Sequence, residues 1–96
     1  MRDYELTVLL NPELAEKAVD LCVKSIGEAI EKLGGKVKSK NDAEKKNLAY
    51  KIEHFREAFY VYFELSLDPA NVLGVEGKIK LTEGVIRYLF VKSDGE

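Results

Sequence analysis

Phe59-Tyr60-Val61-Tyr62-Phe63-Glu64-Leu65-Ser66-Leu67, followed at once by Asp68-Pro69, is the stretch from which the rest of the chain can be ordered. Phe59, Val61, Phe63, Leu65 and Leu67 alternate with Tyr60, Tyr62, Glu64 and Ser66. That period of two turns successive side chains to opposite faces of a sheet, so the stretch predicts a strand with one apolar face. Asp68 is a helix-capping residue and Pro69 suits the first helical position, so a helix is predicted to follow. Val72, Val75 and Ile79 supply its apolar stripe. Gly74 and Gly77 weaken it by about 1 kcal/mol each relative to alanine.

Downstream, residues 82–84 read as a turn and residues 85–91 as a last strand. Its two faces are Ile86, Tyr88, Phe90 and Arg87, Leu89, Val91, and residues 92–96 form a polar tail. Upstream, residues 53–57 read as a turn. Residues 36–40 and 48–52 both alternate, with polar residues 41–47 between them. The pattern predicts one long edge strand whose lysines blunt its open hydrogen-bonding side; two short strands joined by a flexible loop is the competing arrangement. Before it lies a helix predicted to open at Asn11-Pro12-Glu13, with asparagine as cap and proline first. Leu14, Ala18, Cys22, Ile26, Ile30 and Leu33 form its apolar stripe, and Gly34-Gly35 ends it. Residues 4–10 are the first strand, with Leu6, Val8 and Leu10 opposed to Glu5, Thr7 and Leu9.

The order is β-α-β-β-α-β. It predicts an α+β, ferredoxin-like split sandwich: a four-stranded antiparallel sheet with two helices on one face. Residues 1–96 are expected to make a single domain. Leu6, Val8, Leu10, Val61, Phe63, Leu65, Tyr88 and Phe90 should meet the helices. Thr7, Leu9, Tyr60, Tyr62, Arg87, Leu89 and Val91 are left on a face that no helix of this chain is expected to cover, and they are too apolar to serve water alone.

Several classes of function find no support. His54 is the only histidine and sits in a predicted turn, where an ordinary exposed side chain is the plain reading. Cys22 is the only cysteine, so it can form no internal disulfide and reads as a small core residue. The ligand count for a zinc site is missing, and no glycine pattern fits a phosphate loop or a dinucleotide fingerprint. Neither catalytic residues nor a metal, cofactor or small-molecule substrate is expected. No apolar run reaches the ~18 residues of a membrane span, and the first residues alternate charged and apolar types unlike a signal peptide. A cytoplasmic protein with no membrane partner is expected.

The formal net charge is −2. Six lysines between residues 36 and 51 face only Asp42 and Glu44, a local +4, so the remainder carries −6. Such a run is usually a solvated face, and it favours an anionic partner only weakly. Tyr60 and Tyr62, two apart on the uncovered face, could stack on single-stranded bases as in an RNA recognition motif. The residues before them lack the basic residue and glycine of that motif. A protein–protein interface, formed with Leu89 and Val91, is the favoured reading of these tyrosines, and self-association of the same face is a further one.

Taken together, Arg2-Asp3-Tyr4-Glu5, Leu10-Asn11-Pro12, Leu48-Ala49-Tyr50-Lys51-Ile52, Val85-Ile86-Arg87 and Val91-Lys92 resemble one family, small-subunit protein six of the bacterial ribosome. The segment from Leu48 to Ile52 looks like that family's Leu-Ala-Tyr-x-Ile motif. The resemblance implies a non-enzymatic, ribosome-bound protein. It would bind small-subunit ribosomal RNA as a heterodimer with the eighteenth small-subunit protein. It further implies RNA contacts at Arg2, Lys46, Tyr50, Arg87 and Lys92. Two departures bear on binding: Glu44 stands where the family usually has glycine, and Lys51 where proline often follows the tyrosine. A divergent or engineered member that keeps the fold without RNA binding is the alternative.

Overall fold

Alternation along the first strand decides where everything else packs. In the computed structural model, which describes residues 1–93, that strand is β1 (Arg2–Leu10). It is followed by α1 (Glu16–Lys32), β2 (Lys36–Lys40), β3 (Glu44–Ile52) and β4 (Phe55–Leu67). A 3₁₀ turn (Pro69–Asn71), α2 (Val72–Leu81) and β5 (Val85–Lys92) complete the order. Residues 94–96 of the predicted polar tail lie outside the described residues. β1 runs between β4 and β5 and pairs antiparallel with both.

The outer edge of β4 is shared. β2 lies opposite Phe63–Ser66 and β3 opposite Phe55–Tyr60, so five strands occupy four positions, as the expected long edge strand requires. Asn41 joins the two pieces. Its N–H donates to the Tyr62 carbonyl at 3.1 Å, and its side-chain oxygen accepts from the Tyr62 N–H at 2.6 Å. An amide side chain thus stands in for a missing strand partner. The polar residues 44–47 are part of β3.

Leu6, Val8, Leu10, Val61, Phe63, Leu65 and Leu67 meet Val19, Cys22, Ile26, Ile30, Val75 and Ile79 in one core, with Tyr88 and Phe90 packed at its margin. All of the residues expected to face the helices do so. Cys22 is buried there, and its thiol donates to the Glu83 carbonyl at 3.2 Å.

Three local expectations need correction. α1 starts at Glu16 with Ala15 as cap, not at Asn11-Pro12. The Asn11 side chain instead accepts from the Glu13 N–H at 2.8 Å, closing a turn, while its own N–H donates to Gly84 at 2.7 Å. The chain spends these residues crossing from the sheet to the helix layer, so Leu14 packs before the helix begins. The turn predicted over residues 53–57 shrinks to Glu53-His54, because β4 already starts at Phe55; Glu53 takes the left-handed conformation, with φ at 57°. On β5 a bulge places Val85, not Ile86, opposite Leu10 and against the core.

The Asp68-Pro69 start is present as predicted: Asp68 accepts from the Ala70 N–H at 3.0 Å and Pro69 opens the turn. Asn71, at the same junction, donates to the Leu33 carbonyl at 2.9 Å and so satisfies an orphan acceptor at the end of α1. The Gly34-Gly35 stop is a Schellman arrangement, with Gly34 donating to Glu31 and Gly35 to Ile30. Gly34 has φ at 86°. Gly35 has no room for a side chain: a Cβ there would lie 2.8 Å from both a Leu67 methyl and the Ser66 carbonyl. Gly35→Ala is therefore expected to cost about 1–3 kcal/mol through overpacking, read as a lower urea midpoint at unchanged slope.

Candidate nucleic-acid and partner interface

The helices occupy one face of the sheet, and the pairing register orders the other into rows. Across β4, β1 and β5, Tyr60 stands beside Leu9 and Arg87, and Tyr62 beside Thr7 and Leu89. The next row is Glu64, Glu5 and Val91, and beyond it Ser66 lies beside Asp3. The uncovered face therefore changes character along its length, from aromatic, apolar and basic to acidic.

At the first end, β3 covers part of this face. Asn47 pairs with Glu57 and Ile52 with Phe55, so five steps along β3 answer two along β4. The surplus throws residues 48–51 out of the ladder as an arch. Leu48, Tyr50 and Ile52 of the arch, with Thr7, Leu9, Tyr60, Arg87 and Leu89 of the sheet, line a concavity of about 360 Å³. This explains why Leu9 is only 8 % exposed on a face without helices. Tyr50 remains 68 % exposed at the rim. Asn47, Lys51 and Arg56 gather on the arch's other side. Lys46 lies over the Tyr60 ring at 5.8 Å and pairs with Glu44 at 3.7 Å.

The residues expected at an RNA contact thus separate. Lys46, Tyr50 and Arg87 converge on the arch. Arg2, opposite Leu67, and Lys92, opposite Tyr4, lie at the other end of β1, roughly 17–24 Å away at the rise of an extended strand. Among the residues expected at a protein interface, Leu89 and Val91 are 61 % and 39 % exposed, while Tyr60 and Tyr62 are half-buried. Leu48 and Ile52 were read from the sequence as part of the motif but not as site residues, and Arg56 was not singled out. The alternation of residues 48–52 was visible, but an arch and a flat strand carry the same alternation.

The acidic end has its own electrostatics. Asp3 accepts from the Ser66 hydroxyl at 2.9 Å and pairs with Lys38 at 3.2 Å, and both partners hold its carboxyl below the usual range. Burial pushes the Tyr62 phenol up, and the charges of Glu5 and Glu64 beside it push it further. A phosphate next to Tyr62 would meet those carboxylates, which disfavours base stacking there. Among the described residues, no group of three histidine, cysteine or acidic side chains could hold a metal ion.

Comparison with known proteins identifies the family and the fold. Residues 3–92 match the family described as Ribosomal protein S6. The small ribosomal subunit protein bS6 of Symbiobacterium thermophilum is 36 % identical over 92 residues, covering 96 % of this chain and 97 % of that protein. The bS6 of Prochlorococcus marinus strain MIT 9211 is 38 % identical over 92 residues, covering 96 % of this chain and 54 % of its own length. Among solved structures, the 30S ribosomal protein S6 of Thermotoga maritima superposes with a TM-score of 0.91 at 24 % identity, covering 96 % of this chain and 87 % of that one. The C-terminal domain of the Mycobacterium tuberculosis MgtC protein shares the fold alone, with a TM-score of 0.64 at 12 % identity over 99 % of this chain and 90 % of that one. The chain belongs to the ribosomal protein S6 family, whose members are structural, non-enzymatic proteins of the small ribosomal subunit.

Proposed function

We propose that this protein binds small-subunit ribosomal RNA jointly with the eighteenth small-subunit protein, taking RNA at the arch of β3 and the partner protein on the rest of the open sheet face. Its family makes it a cytoplasmic ribosomal component that takes part in translation and catalyses nothing. The observation that carries the finer reading is the arch itself. It brings Tyr50, Arg87 and Lys46 to one rim, where an aromatic ring and two cations suit an unstacked base and its phosphates. Leu89 and Val91, exposed beside that rim, supply apolar area that a protein partner would remove from water.

On this reading the RNA contacts fall into two groups. Tyr50, Arg87 and Lys46 form the primary group. Arg2 and Lys92 form a second one that only a long or folded RNA reaches at the same time. Glu44 weakens the first group by its ion pair with Lys46, and Lys51 offsets part of that loss with a new charge on the arch.

A titration with a platform fragment of small-subunit ribosomal RNA tests this. Binding is expected to need the eighteenth protein and to weaken with salt, each phosphate contact adding about −0.7 to −0.9 to the logarithmic slope. Absence of binding with the partner present would remove the reading. Tyr50→Ala is expected to lose about 1–3 kcal/mol of RNA affinity, the usual worth of a stacked ring. Arg87→Ala is expected to lower both the affinity and the salt slope. Glu44→Gln, by releasing Lys46, is expected to tighten RNA binding in the same titration.

A further inference from the structure

The concavity under the arch has a composition that limits what can fill it. Leu9, Leu48 and Ile52 give it an apolar lining, and Tyr50 and Tyr60 add two aromatic rings. Its volume of about 360 Å³ falls in the range of pockets that take small ligands. Arg87 is the one cation that lines it, and no carboxylate does. Lys46 lies over the Tyr60 ring and Lys51 on the arch's other side, so neither lysine belongs to the lining. Register fixes Arg87 directly beside Leu9, with Tyr60 on the far side of the same row. The two ion pairs among the described residues are those of Lys38 with Asp3 and Lys46 with Glu44, and Arg87 takes part in neither. A guanidinium offers five donors in a planar fork and no acceptor. What completes it here must be flat, largely apolar over its faces, and must present two acceptors side by side.

We infer that the concavity receives one unstacked guanine of the RNA, stacked on Tyr50 and read at its O6 and N7 by Arg87. The inference rests on the RNA binding at the arch proposed above and adds which base is chosen and which residue chooses it. Stacking on an aromatic ring accepts any base, so Tyr50 contributes affinity without choice. The choice comes from the fork. Guanine sets O6 and N7 next to each other as two acceptors, whereas adenine sets an amino donor beside its N7 and would turn that donor toward the guanidinium. Uracil separates its two carbonyls by an N–H. Cytosine has an adjacent pair of acceptors on a single ring, which covers less of the apolar lining than a purine does. Phosphates on either side of the guanine then meet Lys46 and Lys51, the cations outside the concavity.

The test uses short uridine RNAs carrying one central guanine, adenine, cytosine or 7-deazaguanine. Each is titrated against the unaltered chain and against Arg87→Lys, both mixed with the eighteenth small-subunit protein so that the partner's own contribution is the same in each pair. The guanine strand is expected to bind the unaltered chain at least fivefold more tightly than the other three, the lower end of what one bidentate arginine–guanine contact gives. The 7-deazaguanine strand loses the N7 acceptor alone and should fall to the level of adenine. Arg87→Lys keeps the charge and removes the fork, so it should keep the salt dependence and lose the preference. Tyr50→Ala should weaken all four strands alike. In the unaltered chain, guanosine monophosphate should shift the amide resonances of Thr7, Leu9 and Arg87 more than the other nucleotides do. Equal affinity for the four strands, a preference for another base, or a guanine preference that survives Arg87→Lys would overturn the inference. Each of these leaves RNA binding at the arch standing if the platform fragment still binds. Failure of the platform fragment to bind with the partner present would overturn both.

Discussion

The antiparallel register between β1 and β4 is the constraint from which the other features of the molecule follow. Nine residues of β1 face nine of β4 without a break, from Arg2 opposite Leu67 to Leu10 opposite Phe59. Side chains alternate with a period of two, so sliding this ladder by one residue would turn Leu6, Val8 and Leu10 to water and Glu5 and Thr7 into the core. Burial of the apolar set under α1 and α2 holds the register in place. Once it is held, the rows on the other face are determined as well. Tyr60 must stand beside Leu9, and Glu64 beside Glu5.

That second consequence sets the character of the helix-free face. Helices placed on one side of a sheet leave the other side open, and here the open side is neither polar enough for water nor uniform in charge. The surplus residues of β3 fold over its basic end and make a concavity out of a flat sheet. Among the described residues the acidic end has no such cover.

Two identical sequence signals met different ends, and the comparison is instructive. Asn11-Pro12 and Asp68-Pro69 both read as a capping residue followed by proline. Asp68 caps the helical turn that leads into α2. Asn11 closes a turn ahead of α1, because the chain there must first leave the sheet, with Asn11 tied to Gly84. Capping chemistry is local, whereas the distance between layers is not. Ile86 shows the same limit. Alternation puts it on one face with Tyr88 and Phe90, and a bulge on β5 sets Val85 opposite Leu10 in its place. The departures at Glu44 and Lys51 were visible as residue types, but their effect depends on the ion pair with Lys46 and on the arch.

The sequence by itself determined the split βαββαβ plan and the apolar set that packs beneath the helices. Each of these rests on periodicity or residue type, which neighbours along the chain define. The Leu-Ala-Tyr-x-Ile resemblance pointed to the ribosomal family for the same reason, since a motif is a local pattern. Only the tertiary structure decided that Tyr50 and Arg87 line one concavity while Arg2 and Lys92 stand far from them. It also decided that residues 48–51 arch over the sheet and that Glu5 faces Glu64. Those facts belong to pairing between segments distant in sequence, where register and bulges, not composition, choose the neighbours.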